Sequence, residues 1–360
     1  MILTLFLTVI GAVASAILPW NSSIYSTLAI CRFILGIGVG GVYPLSAAAA
    51  AEGGSDPVVN NKRVAAVFSF QGWGQLASFL MCYILLETSL SHEWTWRVLL
   101  GLGALPGVFV LHEAITSEET STFAAKAFLK SQHNPNRLRF SAAMRLYYKQ
   151  FLGTSLGWFL FDITFYGNIL FTPIILDGLY DGVATSMVDI AQFSVFTSLI
   201  ALPGYYLSYF MMGTMDFKHI QMQGFFAMAI LFLVMGLFYT TLLPLKTLLF
   251  CMYGLTFFFS NFGPNVTTFS LPAELFPSDV RVQFNGMSAA AGKLGTMQRG
   301  RSTSWPRSRL IVVVGAAVGA YWYGYIQATS GVSMVLVVSG LVSVLGLAVT
   351  QFLIPSKHYR

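Results

Sequence analysis

Charge is scarce in this chain. Of its 360 residues only 9% are Asp, Glu, Lys or Arg, whereas a typical soluble domain has roughly 25%. Hydrophobic residues make up 56%, and the mean hydropathy is +0.69. This much apolar surface needs lipid as its solvent, and a lipid-embedded backbone must satisfy its own hydrogen bonds. The composition therefore predicts an all-α integral membrane protein that crosses the bilayer several times.

Cysteine is also rare, and the sequence lacks motifs typical of metal, nucleotide or catalytic sites. The three cysteines, Cys31, Cys82 and Cys251, lie in apolar runs without metal-ligand spacing or a disulfide framework. We find no nucleotide-binding loop and no nucleophile placed beside a base, so we expect neither an enzyme nor a bound cofactor. The pI of 9.2 would suit nucleic acid, but the basic residues fall in short loops between apolar runs. We therefore expect the lipid bilayer as a partner and no nucleic acid.

Apolar segments near 20 residues long predict ten membrane spans. They cover residues 1–19, 27–51, 64–88, 96–112, 150–176, 187–213, 222–243, 247–272, 282–325 and 331–354. The longest polar interruption separates four spans from six. This predicts an N-terminal four-helix bundle over 1–112, a cytoplasmic loop over 113–149 and a C-terminal six-helix bundle over 150–360.

The distribution of charge predicts the orientation. If the 113–149 loop is cytoplasmic, basic residues such as Lys62, Lys218 and Arg281 fall on the same side, while Glu87 and Asp177 fall on the other. An excess of Lys and Arg on the cytoplasmic side is typical of membrane proteins. Both ends of the chain are then expected in the cytoplasm.

A polar block interrupts the eighth predicted span. Residues 258–281 read FFSNFGPNVTTFSLPAELFPSDVR, so Asn261 and Asn265 flank a Gly-Pro pair inside an apolar segment. Polar and helix-breaking residues are costly in a membrane and persist mainly where they line a cavity or a substrate path. Pro264 predicts a kink, which could serve either gating or packing.

The fifth and ninth spans each carry an ionisable residue. Trp158, Asp162 and Tyr166 are four residues apart, so they share one helical face, and Asp162 is the only acidic residue well inside its span. Asp162 either forms a structural bond with a neighbouring helix or contacts a substrate. Lys293 could balance Asp162, attract an anion or reach the membrane interface.

Several segments resemble the plant and fungal high-affinity phosphate:proton symporters of the major facilitator superfamily. They are CRFILGIGVGGVYPLSA at 31–47, AAVFSFQGWG at 65–74, GWFLFDITFYGNILF at 157–171, SNFGPNVTTFSLPAELFPSDVR at 260–281 and GMSAAAGKLG at 286–295. The resemblance implies the two-bundle facilitator fold, here incomplete because the first predicted span matches the third helix of the family. It also implies a plasma-membrane carrier that imports inorganic phosphate with protons by alternating access.

The resemblance further implies a site. The positions that match phosphate-contacting residues of the family are Tyr43, Gln71, Trp158, Asp162, Tyr166 and Asn261, and we add Lys293 to this substrate-binding set. Asp162 is also the expected proton-coupling residue, because a carboxylate can accept a hydrogen bond from a protonated phosphate oxygen or be protonated itself. One departure is Val42, where the family has Asp.

Two other functions stay open. The chain could be a sugar or organic-ion porter of the same superfamily, or a non-transporting phosphate sensor or inactive fragment, which the absent helices and Val42 favour. The basic stretch 298–310, with four arginines and a proline, is expected to break the ninth span.

Overall fold

The computed structural model describes residues 1–18, 24–52, 56–116, 138–179, 186–294 and 315–356. Within these ranges the regular structure is helical and no strand is formed. The all-α prediction is therefore confirmed. Each predicted span overlaps a described helix, although the helix of the third span begins at Pro57 and not at residue 64. The predicted break over 298–310 lies outside the described residues.

The described residues up to Thr116 form five helices. They are α1 (Ile2–Ala16), α2 (Ile24–Ala51), α3 (Pro57–Leu86), α4 (His92–Leu102) and α5 (Leu105–Thr116). The start of α3 is fixed by Asp56, whose carboxylate accepts a 2.8 Å bond from the Val58 N–H, with Pro57 in the first turn. The fourth predicted span is thus two short helices in succession.

The second half begins after the polar loop. It contains α6 (Phe140–Leu146), α7 (Tyr148–Leu179), α8 (Met187–Met211), α9 (Phe217–Leu237), α10 (Tyr239–Leu242), α11 (Lys246–Ser260), a wide turn (Asn261–Asn265), α12 (Val266–Leu275), α13 (Arg281–Leu294) and α14 (Gly315–Leu353). Gly331 in α14 has φ 80°, a left-handed conformation that glycine adopts readily. The ninth and tenth predicted spans meet at this bend.

Five helices in the described residues are long and apolar enough to cross a membrane by composition alone. They are Ile24–Ala51, His92–Thr116, Met187–Met211, Phe217–Leu237 and Trp322–Leu353. The 30-residue α3 and 32-residue α7 are long enough as well, since a helix rises about 1.5 Å per residue.

The predicted kink in the eighth span is present. Phe262 and Gly263 leave helical geometry, with ψ 49° at Phe262. Pro264 contributes because its ring removes a backbone donor, and close packing contributes too. A Cβ placed on Gly224 would lie 2.6 Å from the Gly263 Cα atom, so only glycine lets α9 approach the turn this closely.

Contacts join the two halves along their length. Helix α3 packs against α8, α2 packs against α13, and α12 touches both α2 and α3. At the ends nearest the 113–149 loop, Arg281 Nη1 lies 3.4 Å from Glu52 Oε1 and the Asn61 amide donates to Glu274 at 3.4 Å. The two halves are thus held together on the loop side.

Candidate substrate site

A buried ion pair lies between α7 and α13. The Lys293 ammonium donates to Asp162 Oδ2 at 2.8 Å and to the Tyr166 hydroxyl at 3.1 Å, and it also sits 4.4 Å from the Tyr166 ring centroid. The side chain of Asp162 is 3% exposed, whereas that of Lys293 is 38% exposed. The carboxylate is therefore enclosed while part of the lysine stays accessible.

Trp158 and Gly292 bring the two helices together at this level. Trp158 is buried one turn before Asp162. A Cβ on Gly292 would lie 2.7 Å from Trp158 Cδ1 and 3.3 Å from Asp162 Oδ2. Because the glycine has no side chain, α13 can pack directly against the indole, and this places Lys293, the next residue, beside the carboxylate.

Tyr43 faces this pair from α2. It is half-buried, and it is close enough to Tyr166, Asp162 and Lys293 to interact with them electrostatically. Its ring meets Phe269 of α12 edge-on at 5.8 Å. The first half of the chain thus contributes a phenol within electrostatic range of the ion pair.

Gln71 and Asn261 belong to a second set of polar residues. Asn265 Nδ2 donates to Asn261 Oδ1 at 2.7 Å and to the Tyr205 hydroxyl at 2.9 Å, and that hydroxyl donates to Gln71 Oε1 at 3.2 Å. Asn261 Nδ2 also donates to the Ala201 carbonyl at 3.0 Å. This chain of bonds links the wide turn to α8 and then to α3.

The structure therefore arranges the seven predicted residues as two neighbouring sets. Trp158, Asp162, Tyr166, Lys293 and Tyr43 surround the ion pair, while Gln71 and Asn261 lie in the amide and phenol chain. Both sets border one apolar cluster that includes Trp158, Tyr205 and Phe269. The arrangement brings together residues from both halves of the molecule.

Tyr205 and Asn265 are the residues that sequence reasoning did not place in the site. A stripe on α8 could have indicated the first, because its small and polar residues recur on one helical face. These are Ser194, Ser198, Ala201, Tyr205 and Ser208, all of them buried. The sequence shows Asn265 beside Pro264, but it does not show that Asn265 bonds to Tyr205.

Hydrogen-bond donors dominate both sets. An ammonium, phenols, an indole and amides can all donate to an oxyanion, and Asp162 is the group that can gain or lose a proton. The described residues contain no cluster of three or more His, Cys, Asp or Glu side chains suited to a metal ion. The chemistry that this arrangement supports is reversible binding of an anion beside a titratable carboxylate.

Comparison with known proteins places the chain in a class. The family described as "Sugar (and other) transporter" matches residues 1–134. A crystal structure of a double-tryptophan mutant of XylE, the xylose transporter of E. coli, superposes with a TM-score of 0.68 at 17% identity, covering 100% of this chain and 80% of that one. The fold is that of the major facilitator superfamily, a class of multi-pass membrane transporters.

Curated relatives narrow the class to a family. Inorganic phosphate transporter PT2 of Toxoplasma gondii is 31% identical over 98% of this chain, which spans 58% of that relative's length. Inorganic phosphate transporter 1-11 of rice (Oryza sativa subsp. japonica) is 30% identical over 99% of this chain and 71% of its own length. The chain belongs to the inorganic phosphate transporter family of the major facilitator superfamily.

Proposed function

We propose that this protein imports inorganic phosphate together with protons by alternating access, in the plasma membrane. Membership of the phosphate transporter family supports the substrate. The observation that carries the proposal is the 2.8 Å contact between Lys293 and Asp162, with the Tyr166 hydroxyl 3.1 Å from the same ammonium. The contact brings together a cation that can bind the phosphate anion and a carboxylate that can take up the coupled proton.

The pair links the two ligands through competition. While Asp162 is ionised, it holds the Lys293 ammonium by charge. Protonation of Asp162 removes that attraction, so the exposed part of Lys293 becomes available to a phosphate oxygen. Each ligand then favours binding of the other, as reciprocal coupling between sites requires.

Phosphate suits this site better than a fully ionised anion does. Its second ionisation falls near neutrality, at a pKa of about 6 in phosphate esters, so a phosphate oxygen often carries a proton. In a second arrangement, in which the phosphate carries the proton and Asp162 stays ionised, that P–OH group can donate to Asp162 while the ionised oxygens accept from Lys293, Tyr43 and Tyr166. Sulfate has no proton to donate, and Asp162 would repel it.

Alternating access requires a part of the structure that can bend. The wide turn at Asn261–Asn265 breaks the helix beside the site, and its amides are bonded to α8, whose Tyr205 is bonded in turn to Gln71 of α3. A movement of α12 against α11 would therefore be transmitted to both halves. This turn is the hinge that the mechanism uses.

Uptake into proteoliposomes tests the proposal. The purified chain should accumulate labelled phosphate when the outside is more acidic than the inside, and accumulation should collapse when a protonophore is added. Excess arsenate, which shares the geometry and ionisation of phosphate, should compete, whereas sulfate and xylose should not. Competition by xylose would favour a sugar porter, and phosphate binding without uptake would identify a sensor.

A further inference from the structure

A cavity of about 140 Å³ lies beyond the candidate site, between α3, α7, α8 and α11. It is large enough for several water molecules, since a water occupies about 30 Å³ in the liquid. Its polar lining comes from Gln75, Thr172, Ser194, Thr197 and Ser198. The side chains that line it include no Asp, Glu, Lys or Arg.

The cavity adjoins the candidate site through three helices. Gln75 lies one turn beyond Gln71 on α3, and Ile169 lies one turn beyond Tyr166 on α7. The third connection is Ala201 of α8, which lines the cavity while its carbonyl accepts the bond from Asn261. A ligand in the cavity would therefore be about one helical turn from the site residues.

Two hydroxyls at the cavity have no hydrogen-bond partner among the described residues. These are Thr197 Oγ1 and Ser198 Oγ, on residues that are 8% and 4% exposed. The other hydroxyls are engaged, because Thr172 bonds to the Asn168 carbonyl and Ser194 to the Ile190 carbonyl. A buried hydroxyl without a partner is unfavourable, so a polar ligand that reaches these two groups would be stabilised by bonding to them.

The position of the cavity indicates which side of the membrane it lies toward. Along α3 and α7 it lies toward the ends at Leu86 and Leu179, away from the 113–149 loop. On the loop side the halves are joined by Arg281 and Glu52. If that loop is cytoplasmic, the cavity lies on the outer side of the site.

We propose that this cavity is an outer binding site where inorganic phosphate waits before it reaches Lys293 and Asp162. Hydroxyls and an amide can donate to the ionised oxygens of phosphate and accept from its P–OH groups. Because the lining is uncharged, the anion is held weakly here and passes readily to the lysine. The inference rests on the proposed function and adds a binding site that phosphate occupies before it reaches the inner site.

Cysteine labelling tests the outer site in the full chain. Ser198→Cys is made in a background where the three native cysteines are replaced by alanine, and a small membrane-impermeant thiol reagent is added from outside. The reagent should modify Ser198→Cys, and millimolar inorganic phosphate should slow the reaction several-fold, whereas chloride should not. Ser343→Cys is the matched control, because Ser343 is buried on α14 and bonded within its own helix, and it should stay unmodified.

Repeating the labelling with Asp162→Asn separates the two proposals. Protection by phosphate should persist there even when uptake has stopped, because the outer site does not use the carboxylate. If Ser198→Cys folds poorly, Ser198→Ala and Thr197→Val should each raise KM for phosphate several-fold with kcat unchanged. An unreactive Ser198→Cys, or labelling that phosphate does not slow, would overturn the outer site while leaving uptake at the inner site intact.

Discussion

At the scale of single residues, Lys293 determines how Asp162 can exist inside a membrane. A carboxylate that is 3% exposed is expensive in a low-dielectric interior unless a charge or a donor faces it. Lys293 provides both at 2.8 Å. In the proposed mechanism the pair is structural at rest, and it acts in transport when a proton or an anion competes for one partner.

Removing one partner should cost more than removing both. Lys293→Met leaves the Asp162 carboxylate buried without its cation, and we expect a loss of stability of about 1–3 kcal/mol, moderated because Lys293 is partly exposed. The double variant Asp162→Asn with Lys293→Met should recover most of that loss but transport no phosphate. Thermal unfolding in detergent measures both variants, and purely additive losses would contradict the pairing.

Tyr43 should affect phosphate binding more than stability. Tyr43→Phe removes one donor beside Lys293 and should weaken phosphate binding by about 1–3 kcal/mol, with little change in the melting temperature. Tyr323→Phe is a matched control, because its buried hydroxyl accepts from Ser339 at 2.8 Å and its ring packs against Ile163 and Gly167 of α7, not against the ion pair. Calorimetric titration with phosphate should distinguish them, and equal affinities would exclude Tyr43 from the site.

Asn261 should behave differently from Tyr43. Asn261→Ala removes the bonds to the Ala201 carbonyl and to Asn265, so among the described residues the wide turn is held to α8 only by the Asn265–Tyr205 bond and the Ser208 bond to the residue 261 carbonyl. We expect phosphate binding to weaken by about 1–3 kcal/mol and the melting temperature to fall as well. Weakened binding at unchanged stability would indicate direct contact with phosphate instead.

At the scale of helices, the site depends on how closely α13 approaches α7. Gly292→Ala would place a Cβ 2.7 Å from Trp158, a separation that real side chains do not tolerate, so the helices must part and the ion pair must stretch. Uptake of phosphate should fall sharply. Gly286→Ala on the same helix is the control, because its Cβ would meet Pro44 at an ordinary 3.7 Å; equal activity of both variants would refute the packing argument.

Sequence patterns predicted the helices well but their contacts poorly. Hydropathy located the spans because length and apolar content are set by the bilayer, and Pro264 located the kink because proline removes a backbone donor. The pairing of Lys293 with Asp162 was one of three open alternatives. The bonds from Asn265 to Tyr205 and on to Gln71 were missed, because the rotation of each helix depends on its neighbours.

At the scale of the whole molecule, the charge distribution predicts one orientation in the membrane. The basic loop 113–149 and both chain ends are expected on the cytoplasmic side. A reporter fused after Arg360 should therefore be active only in the cytoplasm, and one inserted near Thr88, between α3 and α4, only outside. Activity of the Arg360 fusion outside the cell would reverse the topology, and with it the side assigned to the outer cavity.

The halves of the molecule are coupled through polar residues at the centre and at one end. Gln71 and Tyr43 reach the second half at the level of the site, while Glu52 meets Arg281 near the loop. Hydropathy and the polar loop indicated groups of four and six spans, and the family resemblance identified them as a two-bundle facilitator fold. The position of each contact along the helices depends on how the helices pack, and a hydropathy profile does not describe that packing.

Proton-driven phosphate uptake by Asp162→Asn is the most direct test of the mechanism. The amide keeps the shape of the carboxyl group but cannot take up or release a proton. The link between proton binding and phosphate binding is therefore lost. In proteoliposomes under an imposed pH gradient, this variant should either fail to accumulate phosphate or transport it without dependence on external pH. Uptake that stays proton-driven at the level of the unsubstituted protein would show that Asp162 does not couple the two ligands.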